Sequence, residues 1–165
     1  MNWYLLAPEM ILAFFVLVLL MADIGKATWK APVLSVTAIA GIVLSAAFLW
    51  TQRDIGGMAA HGMYIFDAFA VSMKLLFLGM PLAVVILTQE FLSRLKVLRG
   101  EFYILIRLAC TGMMILASAG DFLLLFVALE LMTFSLYIMT AYLRSDNASV
   151  EAGLKYLILG AVASG

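Results

Sequence analysis

The stretch FLLLFVALELMTFSLYIMTAY, residues 122 to 142, decides the fold of this chain. It is long enough to cross a bilayer, because a spanning helix needs about 20 mostly apolar residues. It also carries one acidic residue, Glu130, close to its centre. An ionised carboxylate at that depth costs on the order of 3 kcal/mol on insertion scales. The stretch therefore predicts a membrane-spanning helix and raises the question of what Glu130 does in it.

The composition of the whole chain excludes an ordinary soluble globule. The 165 residues are 66% hydrophobic and 12% charged, whereas a soluble domain is about half apolar and about a quarter charged. A single cysteine, Cys110, and a single histidine exclude an intramolecular disulfide, a cysteine-based zinc or iron–sulfur site and a histidine cluster. The net charge of zero gives no indication of nucleic-acid binding. We predict an integral membrane protein.

Continuous apolar runs, rather than alternating ones, predict an all-α fold, a polytopic transmembrane helix bundle. Residues 1–165 are expected to hold five complete spans and the start of a sixth. The predicted spans are Leu5–Ala22, Pro32–Trp50, Ala68–Gln89, Phe102–Ala119, Phe122–Tyr142 and a sixth from about Val150. The first span lacks a basic start and a credible cleavage site and carries Glu9, so we interpret it as a retained helix rather than a signal peptide.

The last predicted span stops at Gly165 with no charge or interfacial aromatic residue to close it. We expect the chain to be the N-terminal part of a longer protein, and the alternative is a helix that ends inside the membrane.

The loops predict an orientation. Six basic residues follow the odd-numbered spans, and Arg53 is the one basic residue in the loops on the other side. The six are Lys26, Lys30, Arg94, Lys96, Arg99 and Arg144. Because cytoplasmic loops carry an excess of Lys and Arg, the N-terminus is predicted to face outward. The connection between the fourth and fifth spans is predicted to be only Gly120-Asp121, which makes those two spans a tight hairpin.

Four ionisable residues lie well inside the predicted spans: Lys74, Arg107, Glu130 and Lys155. Arg107 lies near the cytoplasmic end of its span, and we expect its long side chain to extend to the interface. The sequence leaves two interpretations of Lys74 open, an interfacial anchor or a functional residue. Asp67, seven residues earlier, lies on the same helix face and could help neutralise it.

Glu130 is too far from both ends of its span to reach an interface, and no basic residue lies three or four positions away. The alternatives are a protonated glutamate bonded to a neighbouring helix, a structural ion pair, or a group that exchanges ions or protons. An ionisable residue inside the membrane is a functional candidate by default, and we favour proton or ion handling.

Lys155 follows Glu151 by four residues, the favourable spacing for a local helical ion pair. The apolar residues after Lys155 favour a functional role instead. Helical rise places Glu130 about 18 Å and Lys155 about 8 Å from the cytoplasmic ends of their spans, so a direct bond between them is not expected.

Several segments together resemble one family. They are PEMIL at 8–12, FDAFA at 66–70, RGEFYILI at 99–106, ILASAGDFLLLFVALELMTFSLYIMTAY at 115–142 and SVEAGLKYLILGAVASG at 149–165. The chain resembles subunit N of proton-pumping NADH:quinone oxidoreductase (respiratory complex I), whose mitochondrial counterpart is NADH dehydrogenase subunit 2. The resemblance covers nearly the whole chain and is most specific from Glu101 onward.

The resemblance implies an antiporter-like subunit with inverted helix repeats and a midplane chain of Lys, Glu and water that moves protons. Glu130 matches the central glutamate of that family and Lys155 matches the lysine of the next helix, while further lysines of the family would lie beyond Gly165. NAD, FMN, iron–sulfur clusters and quinone are expected in other subunits, with no cofactor in this chain. The implied partners are the other membrane-arm subunits and the lipid bilayer, with no nucleic acid, in the bacterial inner membrane.

Three functions remain open from the sequence. The leading hypothesis is a proton-translocating subunit of the oxidoreductase, with Glu130, Lys155 and Lys74 in the proton path. The second is a subunit of a multi-subunit sodium/proton antiporter that works without redox partners. The third is a scaffold that does not conduct ions, in which Glu130 only fixes helix packing.

Overall fold

The computed structural model describes residues 3–24, 31–95 and 100–164, and for residues 22–24, 31–33 and 89–95 it describes the backbone alone. Most of the basic residues that predict the orientation lie outside the described residues or side chains: Lys26, Lys30, Arg94, Lys96 and Arg99. The outward-facing N-terminus therefore stays a prediction. Gly165, where the sixth predicted span stops, also lies outside the described residues.

The described residues form six long helices, and each overlaps one of the predicted spans. They are α1 Ala7–Ile24, α2 Ala31–Thr51, α3 Ala68–Leu95, α4 Gly100–Leu116, α5 Phe122–Thr140 and α6 Asn147–Ser164. A 3-10 turn, Trp3–Leu6, leads into α1. The all-α fold class expected from the continuous apolar runs is confirmed.

Four of the described helices are long and apolar enough to cross a membrane. The qualifying segments are Trp3–Met21, Leu34–Thr51, Ala68–Thr88 and Phe122–Thr140. Helices α4 and α6 are not among these four qualifying helices. Helix α4 has 17 residues, and α6 carries both Glu151 and Lys155. The assignment of α4 and α6 as membrane spans stays a prediction.

A short hairpin between α2 and α3 is not predicted by the apolar pattern. Its strands, β1 Gly57–Ala59 and β2 Tyr64–Phe66, pair antiparallel. A short 3-10 turn, Ala60–Gly62, joins them with positive φ angles at all three residues. The turn places two non-glycine residues in the left-handed region, which L-residues rarely adopt.

The hairpin also corrects the predicted connection between α4 and α5. Helix α4 ends at Leu116 rather than at Ala119. The amides of Ser118 and Ala119 bond three residues back, to the carbonyls of Ile115 and Leu116, so the α-helical pattern is lost before the chain meets the hairpin. The amide of Ile65 donates to the carbonyl of Ser118 at 2.8 Å, and the amide of Gly120 donates to the carbonyl of Met63 at 2.7 Å. The connection is therefore longer than the predicted Gly120-Asp121.

Helices α1 to α4 form the packed part of the bundle, and its interior holds two clusters of buried apolar side chains. One includes residues of the hairpin: Leu5, Leu12, Ile42, Leu49, Ala59, Tyr64, Phe66, Val71, Leu78, Cys110 and Met114. The other lies toward the opposite ends of the helices: Leu19, Leu34, Ala38, Val85, Tyr103 and Ile106. Helix α5 packs chiefly on α4, and α6 packs on α5.

A glycine brings α4 and α5 into close contact. A Cβ added at Gly112 would lie 2.7 Å from the amide nitrogen of Met132 and 2.9 Å from the carbonyl oxygen of Ala128. Both are backbone atoms of α5, so a side chain at this position would push the two helices apart. Small residues at the contact of membrane helices allow this kind of backbone approach.

We predict that Gly112→Ala separates α4 from α5 and destabilises the protein, although alanine is the better helix former by about 1 kcal/mol. The measurement is the thermal unfolding temperature of the subunit in detergent. The matched control is Gly79→Ala in α3, where an added Cβ meets nothing within 4 Å. Equal unfolding temperatures for the two variants would contradict the close-packing argument.

Candidate functional site

The described bundle buries an ion pair between α1 and α3. The Nζ of Lys74 lies 2.7 Å from Oε1 of Glu9, and the two side chains are 0% and 5% exposed. Glu9 lies in the first turn of α1, and Lys74 lies in the second turn of α3. Opposite charges buried in a low-dielectric interior are tolerated when they are paired and hydrogen-bonded.

Tyr64 of strand β2 completes this cluster. Its hydroxyl accepts a hydrogen bond from Lys74 and donates one to Oε1 of Glu9 at 2.9 Å, with the carbonyl of Leu5 as a second acceptor 3.2 Å away. Burial, and after it the charge of Glu9, raises the pKa of the Tyr64 hydroxyl. The hydroxyl therefore keeps its proton at neutral pH and can donate to the carboxylate.

The ammonium group of Lys74 also lies over two aromatic rings. It is 4.5 Å from the centroid of Tyr64 and 4.8 Å from that of Phe66. Cation–π contacts of this kind are stronger when the cation is desolvated. The second carboxylate oxygen of Glu9, Oε2, is buried and has no hydrogen-bond partner in the described part of the chain. We call Glu9, Tyr64 and Lys74 the ion-pair cluster.

The ion-pair cluster excludes one of the two interpretations of Lys74, the interfacial anchor. An interfacial anchor would reach solvent or headgroups, but this side chain is fully buried. Its ion-pair partner is Glu9, while Asp67 also interacts electrostatically with Lys74, as expected, and its carboxylate accepts from the amide of Ala70 at 2.7 Å and caps α3. An aspartate is a favoured residue at a helix N-terminus.

Arg107 is also buried, so the expectation that its side chain extends to the interface is wrong. The guanidinium donates to the carbonyl of Thr37 in α2 and lies 5.5 Å from the ring centroid of Phe15 in α1. The lack of a side chain at Gly41 leaves room for it, since a Cβ there would lie 3.1 Å from Nη2. Its Nε and Nη1 have no hydrogen-bond partner among the described residues.

Glu130 lies near the middle of α5 and differs from the other charged residues of the helices. Its Oε1 is buried and has no hydrogen-bond partner in the described ranges. None of the ion pairs among the described residues involves Glu130. The surrounding turns are apolar, apart from Thr133, whose hydroxyl bonds back to carbonyls of α5.

Lys155 lies apart from Glu130. Its Nζ pairs with Oε1 of Glu151 at 2.6 Å, one turn earlier on α6, and both side chains are about two-thirds exposed on the described bundle, at 69% and 66%. The structure thus forms the local ion pair that the four-residue spacing predicts. It does not bring Glu130, Lys155 and Lys74 together into one cluster.

The sequence analysis missed Glu9 as a partner for Lys74. The two residues are separated along the chain by 65 positions (74 − 9), so no local spacing pattern relates them. The usable signal was the presence of one unpaired acidic and one unpaired basic residue in two different apolar helices.

The cluster does not form a metal site. In residues 3–24, 31–95 and 100–164, no three His, Cys, Asp or Glu side chains come together in a way that could hold a metal ion.

Residues 119–165 match the family described as NADH:quinone oxidoreductase/Mrp antiporter, TM. The chain is similar to NADH-quinone oxidoreductase subunit N of Desulfitobacterium hafniense, with 50% identity over 111 residues, which cover 66% of this chain and 22% of that protein. It is 34% identical over 165 residues to subunit N of Granulibacter bethesdensis, which is 100% of this chain and 34% of that protein. The chain therefore spans about a third or less of the length of these curated relatives.

A solved structure is similar as well. A chain of respiratory complex I from Thermus thermophilus with bound aureothin superposes with a TM-score of 0.76 at 28% sequence identity, over 95% of this chain and 34% of that chain. The helix arrangement is therefore shared along almost the whole of the sequence.

We predict that breaking the ion-pair cluster from one side destabilises the protein strongly. Glu9→Gln or Lys74→Met alone leaves one buried charge without its counter-charge, which costs about 3–5 kcal/mol. The double variant removes both charges and should recover most of that loss. The measurement is the free energy of unfolding of the four proteins in a double-mutant cycle.

The matched control is the cycle of Glu151→Gln and Lys155→Met. That pair is exposed on the described bundle, and exposed pairs contribute about 0–1 kcal/mol. Equal coupling energies in the two cycles would show that the Glu9–Lys74 pair is not buried.

Proposed function

We propose, from the premise that this chain belongs to the family of NADH-quinone oxidoreductase subunit N, that it takes part in proton translocation coupled to quinone reduction. The similarity over the whole chain to subunit N of several bacteria supports this proposal. The observation that carries it is Glu130, a carboxyl group in the middle of an apolar helix with a buried oxygen that the described residues leave without a hydrogen-bond partner.

Glu130 is proposed as the group that gains and loses the transported proton. A carboxyl group held permanently ionised by a close cation would not exchange protons readily, and a fully solvated one would not control their passage. Glu130 has neither environment among the described residues: it makes no ion pair there, and its Oε1 is buried. A change in nearby charge would then shift its proton affinity and move the proton onward.

Lys155 is proposed as a second member of the relay. Its ion pair with Glu151 on the exposed side of α6 gives it two states, paired with Glu151 or released. A released Lys155 would raise the positive charge beside α5 and favour the ionised form of Glu130. Lys74, the third residue predicted for the proton path, pairs instead with Glu9, and this pairing favours a different role for it.

The subunit is proposed to work in the bacterial inner membrane with its N-terminus outward and with other membrane-arm subunits as partners. The four apolar helices that can cross a membrane and the excess of basic residues after the odd-numbered helices support this placement. The redox cofactors are proposed to belong to other subunits. The two curated relatives named above are both subunit N, which favours this function over the antiporter alternative.

We predict that Glu130→Gln, in the subunit within its assembled complex, removes most of the proton pumping while the complex still assembles. Glutamine keeps the size and polarity of the side chain but cannot bind and release a proton at neutral pH. The measurement is the number of protons pumped per electron in membrane vesicles, with the amount of assembled complex determined in parallel.

The matched control for this prediction is Asp54→Asn, which removes a carboxylate whose side chain is 87% exposed at the end of α2. Normal pumping by a well-assembled Glu130→Gln complex would refute the proposal. Loss of assembly with normal pumping per assembled complex would support the scaffold alternative instead.

A further inference from the structure

The ion-pair cluster lies at the same end of the bundle as the start of α5. Glu9 is in the first turn of α1, Tyr64 is in strand β2, and Lys74 follows the start of α3. Strand β2 is bonded on its other side to the connection that leads into α5. The hairpin therefore lies between the buried charges and the helix that carries Glu130.

The first link in this arrangement joins the charges to the hairpin. The Tyr64 hydroxyl bonds to both Lys74 and Glu9, and the Tyr64 side chain is 1% exposed. Phe66, two residues along the same strand, places its ring beside the Lys74 ammonium. Alternate residues of a strand lie on one face, so Tyr64 and Phe66 share a face of β2, and their contacts with the buried ion pair hold that face in place.

The second link joins the hairpin to the connection before α5. The amide of Ile65 donates to Ser118 at 2.8 Å, the amide of Gly120 donates to Met63 at 2.7 Å, and Tyr64 forms a bridge with Ala119. Gly120 permits the contact, because a Cβ there would overlap the carbonyl of Gly62 and lie 3.0 Å from the side chain of Ile65.

The third link joins the connection to Glu130. Asp121 caps α5, since its carboxylate accepts from the amide of Leu124 at 2.8 Å. From Asp121 to Glu130 the helix runs nine residues (130 − 121), a rise of about 13 Å. A continuous helix transmits the position of its first turn to Glu130, because its backbone hydrogen bonds keep the rise per residue fixed.

We propose that Glu9, Tyr64 and Lys74 form a positioning site, in which the buried ion pair holds the β1–β2 hairpin against the α4–α5 connection and thereby sets the depth of Glu130. The part of this inference that concerns pumping rests on the proposed function of Glu130. The part that concerns the hairpin does not. The ion-pair cluster touches neither Glu130 nor Lys155 directly, so its three members are positioning residues.

Tyr64→Phe tests the first link with little change in shape. It removes one hydroxyl and keeps the ring, so the hairpin loses its hydrogen bonds to Glu9 and Lys74. We expect the amides of Ile65 and Gly120 to exchange with deuterium about tenfold faster, because hydrogen bonds to charged groups are among the stronger ones. The measurement is hydrogen exchange by mass spectrometry on the subunit in its complex, read from peptides that cover the hairpin and residues 118–121.

The matched control is Tyr103→Phe. Tyr103 is equally buried and its hydroxyl also bonds to a side chain, Ser35 at 2.9 Å, but it belongs to the other core cluster. Exchange of the hairpin peptides should be unchanged in this variant. Unchanged exchange in Tyr64→Phe, or an equal increase in both variants, overturns the positioning site.

Gly120→Ala tests the second link with the ion pair left in place. The added methyl group would meet Gly62 and Ile65 and displace the hairpin from the connection. Both Gly120→Ala and Tyr64→Phe should lower the protons pumped per electron in assembled complex, and Tyr103→Phe should not. A cluster that only stabilises the fold would lower the amount of complex and leave pumping per complex unchanged, and that result overturns the inference.

The two proposals fail in different ways. If Glu130→Gln pumps normally, the proposed function of Glu130 fails, while faster hairpin exchange in Tyr64→Phe still supports the positioning of α5. If Glu130→Gln abolishes pumping but Tyr64→Phe and Gly120→Ala pump normally, the function of Glu130 stands and the positioning site is overturned.

Discussion

The ion pair between Glu9 and Lys74 is the interaction on which the packed part of the bundle depends. It joins α1 to α3 at a point where both side chains are almost completely buried. An unpaired charge in that position would cost several kcal/mol, so each residue requires the other. Through Tyr64 the pair also fixes the hairpin, which in turn contacts the connection before α5.

The buried charged groups of the described helices have three different environments. Glu9 and Lys74 neutralise each other, whereas Arg107 is held by a backbone carbonyl and an aromatic ring. Glu130 has a buried carboxylate oxygen without a partner among the described residues. The first two arrangements hold helices together, and the third leaves a buried carboxylate oxygen that no described side chain or backbone group contacts by a hydrogen bond. This difference separates the proposed proton carrier from residues that support the structure.

The existence of the six helices could be predicted from the sequence, because apolar runs of about 20 residues leave few alternatives to a helix. The ends of the helices could not be predicted, since they depend on polar contacts with other segments. The last turn of α4 is followed by the carbonyl of Ser118 and the amide of Gly120 bonding to the hairpin, whose strands are only three residues long and cannot be told from a loop by their pattern. The candidate Glu130 followed from its depth alone. The pairing of Lys74 with Glu9 and the burial of Arg107 could not be predicted from the sequence, because both depend on helices that are distant in sequence.

Glu130 is proposed to change its protonation state during turnover, and proton translocation through α5 depends on that change. The most direct measurement is infrared difference spectroscopy of the assembled complex, with and without turnover. We predict a carboxyl C=O band that changes with turnover, shifts in deuterium oxide and is missing from the Glu130→Gln spectrum. A spectrum in which every turnover-dependent carboxyl band persists in Glu130→Gln would contradict the account.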